Sequence, residues 1–347
     1  MDYKNITESL SEMQYRKMIA RNNILVSVFM LTHNREKYLR LAVDSVLKQT
    51  YGDFVLWILN NSSTDHTEEY LAEIKDERVI YSNTDVEPYE NMRFVKNICG
   101  TRYFIILHDD DIVEGNYLEE ALSCMEKGMY DELFVGAVLI DSNGNWNLSN
   151  NKKCFDGKEN VFHGEQYFWH FFGCRDDKKK SYVSFPFPSV VYRTSFYQKI
   201  GEVFTSDAGP ASDQLVHFAT ERNGGTICFL AKQLFQYRIH EEQDSQINLG
   251  FMDLMLLDYL LSEKYYRKLL EENKSVLRKR LWVIYRAIVC KACRGQMDRR
   301  KWESFFSYGC IKKLRTDLPG KLSYVGMRLI FHMPHVMKLI YRIVKKE

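Results

Sequence analysis

The chain has 347 residues, 45% of them hydrophobic and 14% aromatic, and 48 Lys+Arg against 46 Asp+Glu leave a formal net charge of +2. That is enough apolar material for one large domain, or for one domain with an appendage. No apolar run reaches the roughly 18 to 20 residues that span a bilayer, "MDYKNITESLSEMQYRKM" holds no signal-peptide core, and the 8 cysteines form no disulfide framework. A reducing, cytoplasmic setting is therefore expected. The close pair Cys290 and Cys293 has no second pair at zinc spacing and is read as helix packing.

Short apolar runs alternate with helix-period segments along the front half. "LVSVFML" (25–31) precedes "EKYLRLAVDSVLKQ", and "FVLWIL" (54–59) precedes "DHTEEYLAEIK", where Asp65 is predicted to cap and Glu68 to complete a capping box. "RVIYS", "ENMRFVKNIC", "YFIIL" and "NYLEEALSCMEK" continue the pattern. Such alternation predicts a parallel sheet covered on both faces, with ligands beyond the carboxyl ends of the strands. "THNR", "NNSSTD" and "HDDD" all fall at those ends. Beyond residue 130, "ELFVGAVLID", "SVVYR" and "TICFL" predict strands and "SDQLVHFATERNG" a helix stopped by Gly224. The segment 161–188 is aromatic and then basic: its rings suit stacking on an acceptor sugar or packing in a core, and Lys178 to Lys180 read as a solvated loop. The chain is helical in pattern from about residue 251.

Asp109, Asp110 and Asp111 stand together directly after an apolar strand. One of them could cap the next helix, but capping needs one carboxylate and not three. Clustered hard oxygens suit a divalent cation, which turns their repulsion into attraction. Both explanations stay open on pattern alone.

The stretch "VSVFMLTHNREKYLRLAVDSVLKQTYGDFVLWILNNSSTDHTEEYL" resembles the opening of the family 2 glycosyltransferases. "HDDD" resembles that family's D-x-D site, "SDQLVHFATERNG" its [ED]-D helix, and "YRIHEEQDS" its Y-R-x-H segment. Four matches in order over residues 25–245 carry the resemblance. It implies a GT-A fold: an α/β, Rossmann-like, mostly parallel sheet flanked by helices, with a helical C-terminal extension. Residues 1–22 would be an N-terminal extension, 23–250 the catalytic domain and 251–347 a basic helical region. The implied reaction is an inverting transfer from a nucleotide-sugar, a UDP-sugar first, to a hydroxyl acceptor, with Mn2+ or Mg2+. The resemblance places Thr32, Asn34, Arg35, Asn60, Asp109 and Arg238 at the nucleotide-sugar, and Asp110, Asp111 and His240 at the metal, with Asp111 in support. His108 occupies the first acidic position of the site, and Asn60 replaces the usual base-binding aspartate, which leaves the nucleotide open. Asp213 aligns with the general base, although Ser-Asp before an apolar run also has the look of an N-cap.

Charge divides the chain. Residues 264–347 hold 22 Lys+Arg against 6 Asp+Glu, a net of +16, so the other 263 residues carry −14 of the total. The basic segments interleave Lys and Arg with Trp282, Phe331, Ile340 and other apolar residues. They would either pack on the catalytic domain or dock on an anionic membrane, bringing the site to a lipid-linked glycan of bacterial surface polysaccharide. That docking predicts a peripheral place at the inner face of the cell membrane, with no nucleic acid as partner. Two rivals are a nucleotidyltransferase and a non-catalytic membrane or nucleic-acid adaptor. "MLTHNREKY" has none of the glycines of the first, and the second has no use for Asp110, Asp213 and His240 together.

Overall fold

In the computed structural model, which describes residues 10–22, 24–146, 157–174, 187–201, 205–241, 243, 251–277, 279–281, 284, 300 and 308, the first apolar run is a strand buried on both faces. This strand, β1 (Val26–Thr32), lies between β2 (Phe54–Asn61) and β4 (Tyr103–His108), with β3 (Val79–Thr84) beyond β2, all parallel. On the far side of β4 the order continues through β8 (Val190–Arg193), β6 (Glu132–Ile140) and β9 (Ile227–Arg238). Strand β8 is antiparallel to both neighbours, whereas β6 and β9 are parallel. Two short strands, β5 (Ile112–Val113) and β7 (Glu159–Phe162), pair antiparallel with β9. The long ladders are the parallel ones, so the expected mostly parallel α/β sheet is what forms.

Helices α2 (Glu36–Leu47), α3 (Thr67–Glu73), α4 (Pro88–Ile98) and α5 (Tyr117–Gly128) connect the first strands. Leu39, Ala42, Val43 and Val46 of α2 and Leu118, Ala121, Leu122 and Met125 of α5 are buried with Val28, Met30, Ile105 and Leu107 of the sheet. Each such side chain stabilises the fold by about 1.5–3 kcal/mol. Helix α1 (Leu10–Asn22) packs on the opposite face of the sheet: Tyr15 is fully buried, 5.1 Å from the Trp57 ring, and shares a 2.8 Å hydrogen bond with Ser27 Oγ. Later come α6 (Gln166–Cys174), α7 (Thr194–Tyr197) and α8 (Gln214–Arg222). Gly224, at φ +77°, closes α8 as the sequence predicts, its N–H donating to Glu221 O at 3.0 Å.

The predicted capping box does not form. Asp65 Oδ1 accepts from Thr67 N at 3.1 Å, but Oδ2 accepts from Glu36 N, also at 3.1 Å, at the head of α2. Glu68 is drawn away to Asn83 Nδ2 at 3.0 Å. One aspartate therefore serves two helix N-termini, a tertiary arrangement that local spacing does not encode.

The chain divides into two compact units, Met1–His170 with Lys179–Phe204 and Asp213–His240, and Phe171–Lys178 with Thr205–Ser212 and Glu241–Glu347. The first holds the sheet. In the second, α9 (Phe251–Ser262) buries Leu254, Leu257, Leu260 and Leu261, α10 (Lys264–Glu272) follows it, and buried Arg280 reaches Asp253 at 2.8 Å. Gly209 there has φ +66°, and a Cβ on it would stand 2.6 Å from Met255 Sδ. No helix among the described residues is long and apolar enough to cross a membrane. Lys178 to Lys180, Trp282, Cys290, Cys293, Phe331 and Ile340 lie outside the described residues.

Candidate active site

Parallel register brings the strand-end polar residues to one edge. Thr32 lies opposite Asn60, Asn60 opposite Asn83, and Leu31 opposite His108. Buried Asn60 donates from Nδ2 to Asn83 Oδ1 at 2.9 Å and accepts from Ser63 N at 3.3 Å. Asn34 adopts φ 54°, a left-handed conformation that Asn tolerates. Its Oδ1 accepts from Thr64 N at 2.6 Å, and its N–H donates to Ser63 Oγ at 2.9 Å, tying together the loops after β1 and β2.

The three aspartates are each held by cationic or backbone donors, the first two sharing Arg35. Asp109 accepts from Arg35 Nη1 at 3.2 Å and from His33 N at 3.4 Å. Asp110 Oδ2 meets Arg35 Nη1 at 3.1 Å and His240 Nε2 at 2.9 Å. Asp111 Oδ1 accepts from Arg238 N at 2.9 Å. The two-residue ladder of β5 against the end of β9 makes this convergence possible, since Ile112 lies opposite Gln236. Buried Arg238 then fastens the turn, donating from Nε to Asp110 O at 2.7 Å and from Nη1 to Asp141 O at 3.1 Å. Tyr38 stands in the first turn of α2. Its ring lies 4.9 Å from the Arg238 guanidinium and 5.2 Å from the His240 ring, so it packs both against the site.

Environment separates the three carboxyls. Burial pushes Asp109 up to about 6 against the pull of Arg35. For Asp110 burial also raises the pKa, but the His240 hydrogen bond and the charges of His108 and Arg35 outweigh it and hold the group below its ordinary value. Burial, then the neighbouring charge of Asp110, drives Asp111 well above the carboxylate range. Asp110 is therefore the carboxyl of the three held most firmly as an anion.

Asp110 Oδ1 and Asp111 Oδ2 are buried with no hydrogen-bond partner. His108, Asp110 and Asp111 each offer one ligand atom, all within 4.8 Å of one another. Unpartnered buried carboxylate oxygens are costly unless something positive fills the gap, so this donor set fits a divalent cation. His240, expected among the ligands, is hydrogen-bonded to Asp110, and His108 stands in the group instead.

Asp213 stands half-buried at the head of α8 and makes no capping hydrogen bond with its side chain. One turn on, buried His217 Nδ1 pairs with Glu132 Oε2 at 2.6 Å, and Thr220 donates to the same carboxylate. The His217 ring is 6.1 Å from Phe187, and Phe187 is 6.3 Å from His108, so α8 connects through one aromatic ring to the end of β4. A glutamate opening an apolar strand gave no sign of this pair; only the tertiary fold joins it to His217.

Residues 27–201 match the family model described as glycosyl transferase family 2. An uncharacterised glycosyltransferase of Methanocaldococcus jannaschii is 35% identical over 128 residues, covering 35% of this chain and 44% of that one. The UDP-Glc:alpha-D-GlcNAc-diphosphoundecaprenol beta-1,3-glucosyltransferase WfgD of Escherichia coli is 30% identical over 125 residues, 35% of this chain and 49% of WfgD. The chain thus spans under half the length of these relatives. Among solved structures, S. aureus TarS 1-349 in complex with UDP-GlcNAc aligns with a TM-score of 0.55 and 15% identity, covering 93% of this chain and 91% of that one, a likeness of fold.

Proposed function

The chain belongs to glycosyl transferase family 2 and is a glycosyltransferase; from that premise we propose that it moves a sugar from a UDP-sugar to a hydroxyl of a lipid-linked glycan, with inversion and with a divalent cation. The observation that carries this reading is the buried Asp110–Asp111 pair, whose unpaired oxygens lie beside His108 at the end of β4. Asp110 and Asp111, with His108, would hold Mn2+ or Mg2+, which offsets charge on the leaving diphosphate when bound. Arg35 is partly exposed and bonded to both Asp109 and Asp110, so its fork can turn to phosphate oxygens without leaving the site. Thr32, Asn34 and Asn60 shape the nucleotide end, with Asp109 toward the ribose, while Arg238 and His240 hold Asp110 and Asp111 in place. Asp213, at the head of α8, takes the proton of the acceptor hydroxyl as it attacks the anomeric carbon.

The lipid-linked acceptor is supported by the substrate in the name of WfgD. The UDP donor is supported by that name and by the UDP-GlcNAc in the TarS complex. The basic segments after residue 264 would hold the enzyme at the inner face of an anionic membrane. The test is a panel of UDP-, GDP-, CDP- and dTDP-sugars with Mn2+ and an undecaprenyl-diphosphate-linked sugar. Release of UDP and a product of inverted anomeric configuration by NMR are expected. Release of a different nucleotide, or a retained configuration, overturns the corresponding part.

A further inference from the structure

A second group of ligating side chains lies at the opposite end of β9. Cys228 is opposite Val161 and Leu230 is opposite Glu159 in the β7–β9 ladder, so Glu159 and Cys228 share one face of the sheet. Cys124, on the buried side of α5, packs onto the same cluster. One ligand atom from each of Cys124, Glu159 and Cys228 lies within 4.8 Å of the others. Ten residues of strand separate Cys228 from Arg238, roughly 30 Å at ~3.3 Å per residue, so the group is remote from the aspartates.

Three further observations suit a bound ion. Glu159 is held from outside: Tyr130 donates to Oε2 at 2.8 Å and Lys127 Nζ to Oε1 at 3.5 Å, the kind of support that orients a ligating carboxylate. Both cysteines are free thiols, available as ligands. Glu159 is exposed, so its carboxylate is open to solvent.

We propose that Cys124, Cys228 and Glu159 bind a zinc-class divalent cation, with water as the fourth ligand, strapping α5 and β7 to β9. Two sulfurs and one oxygen suit a borderline-soft ion and not Mg2+ or Mn2+. Binding releases the two thiol protons. The three negative charges left on the ligands are then balanced by the ion and by Lys127. This site is independent of sugar transfer.

The test is a Co2+ titration of the reduced, chelator-treated full chain, followed by Zn2+. A thiolate-to-cobalt charge-transfer band should appear, vanish when Zn2+ is added, and be absent in Cys124→Ser and Cys228→Ser. Tyr130→Phe should weaken Co2+ binding about tenfold. Glu159→Gln, at an exposed strand edge where folding is not at stake, should weaken it too. Asp110→Asn should leave the band unchanged. No band in the full chain overturns the proposal. A band that survives both serine variants also overturns it, by assigning the metal to other cysteines. A mass two hydrogens below that of the dithiol, with no cobalt band, would mean a disulfide and no metal site.

Discussion

Asp110 and Asp111 are neighbours with opposite electrostatics, and substitution should expose the difference. Asp110 is held as an anion by His240 and Arg35, so Asp110→Asn removes the charge proposed to hold the cation. The expected loss is roughly a hundredfold in kcat, about 3 kcal/mol of barrier. Asp111 has one oxygen already engaged by Arg238 N and supports Asp110, so Asp111→Asn should cost clearly less; equal losses in steady-state assays would reject the assignment. Asp213→Asn should keep UDP-sugar binding by calorimetry while transfer is abolished. Retained turnover would reduce Asp213 to a structural residue. The strand-end residues of this site were legible because they sit where parallel strands stop. Tyr38 and the Glu132–His217 pair were not, since an aromatic on a helix face and a glutamate heading a strand signal only packing or solvation.

Helix ends are where this fold departs most from local rules. Asp65 caps α2 and α3 together, so Asp65→Ala should lower unfolding stability by about 2 kcal/mol in urea, twice an ordinary cap. A loss nearer half that would show that one of the two bonds contributes little. Glu221 does a similar task from the end of α8, accepting from Tyr167 N at 2.5 Å and Phe168 N at 2.8 Å at the start of α6. Burial nevertheless raises its pKa from 4.5 to about 7. Between those values the native state keeps a proton that the unfolded chain has lost, so this group's contribution to stability falls as pH rises from 4.5 to 7. In Glu221→Gln, denaturation midpoints should lose that slope; an unchanged slope would place its origin elsewhere. Helices and long strands of the front half were readable from period. The two-residue β5 and the edge strand β7 were not, nor was the antiparallel sense of β8, because pairing partners far along the chain decide them.

At the scale of the molecule, charge is divided unevenly along the chain. Sixteen net positive charges after residue 263 predict that the full chain sediments with vesicles rich in anionic lipid at low salt, at about 1 kcal/mol per basic residue near the surface. It should be released at high salt and should ignore zwitterionic vesicles. Failure to sediment at low salt would rule out the membrane anchor. The small ladder between β5 and the end of β9 reaches further than geometry. Asp111 bonds Arg238, and Asp110 bonds His240, across 127 and 130 positions of chain. Closing such loops is entropically unfavourable until intervening structure has brought the ends near. On the ribosome, β1, β2 and β4 can emerge and pair while the pocket is still half-built. The proposed site therefore closes only once β9 has been made, late in synthesis.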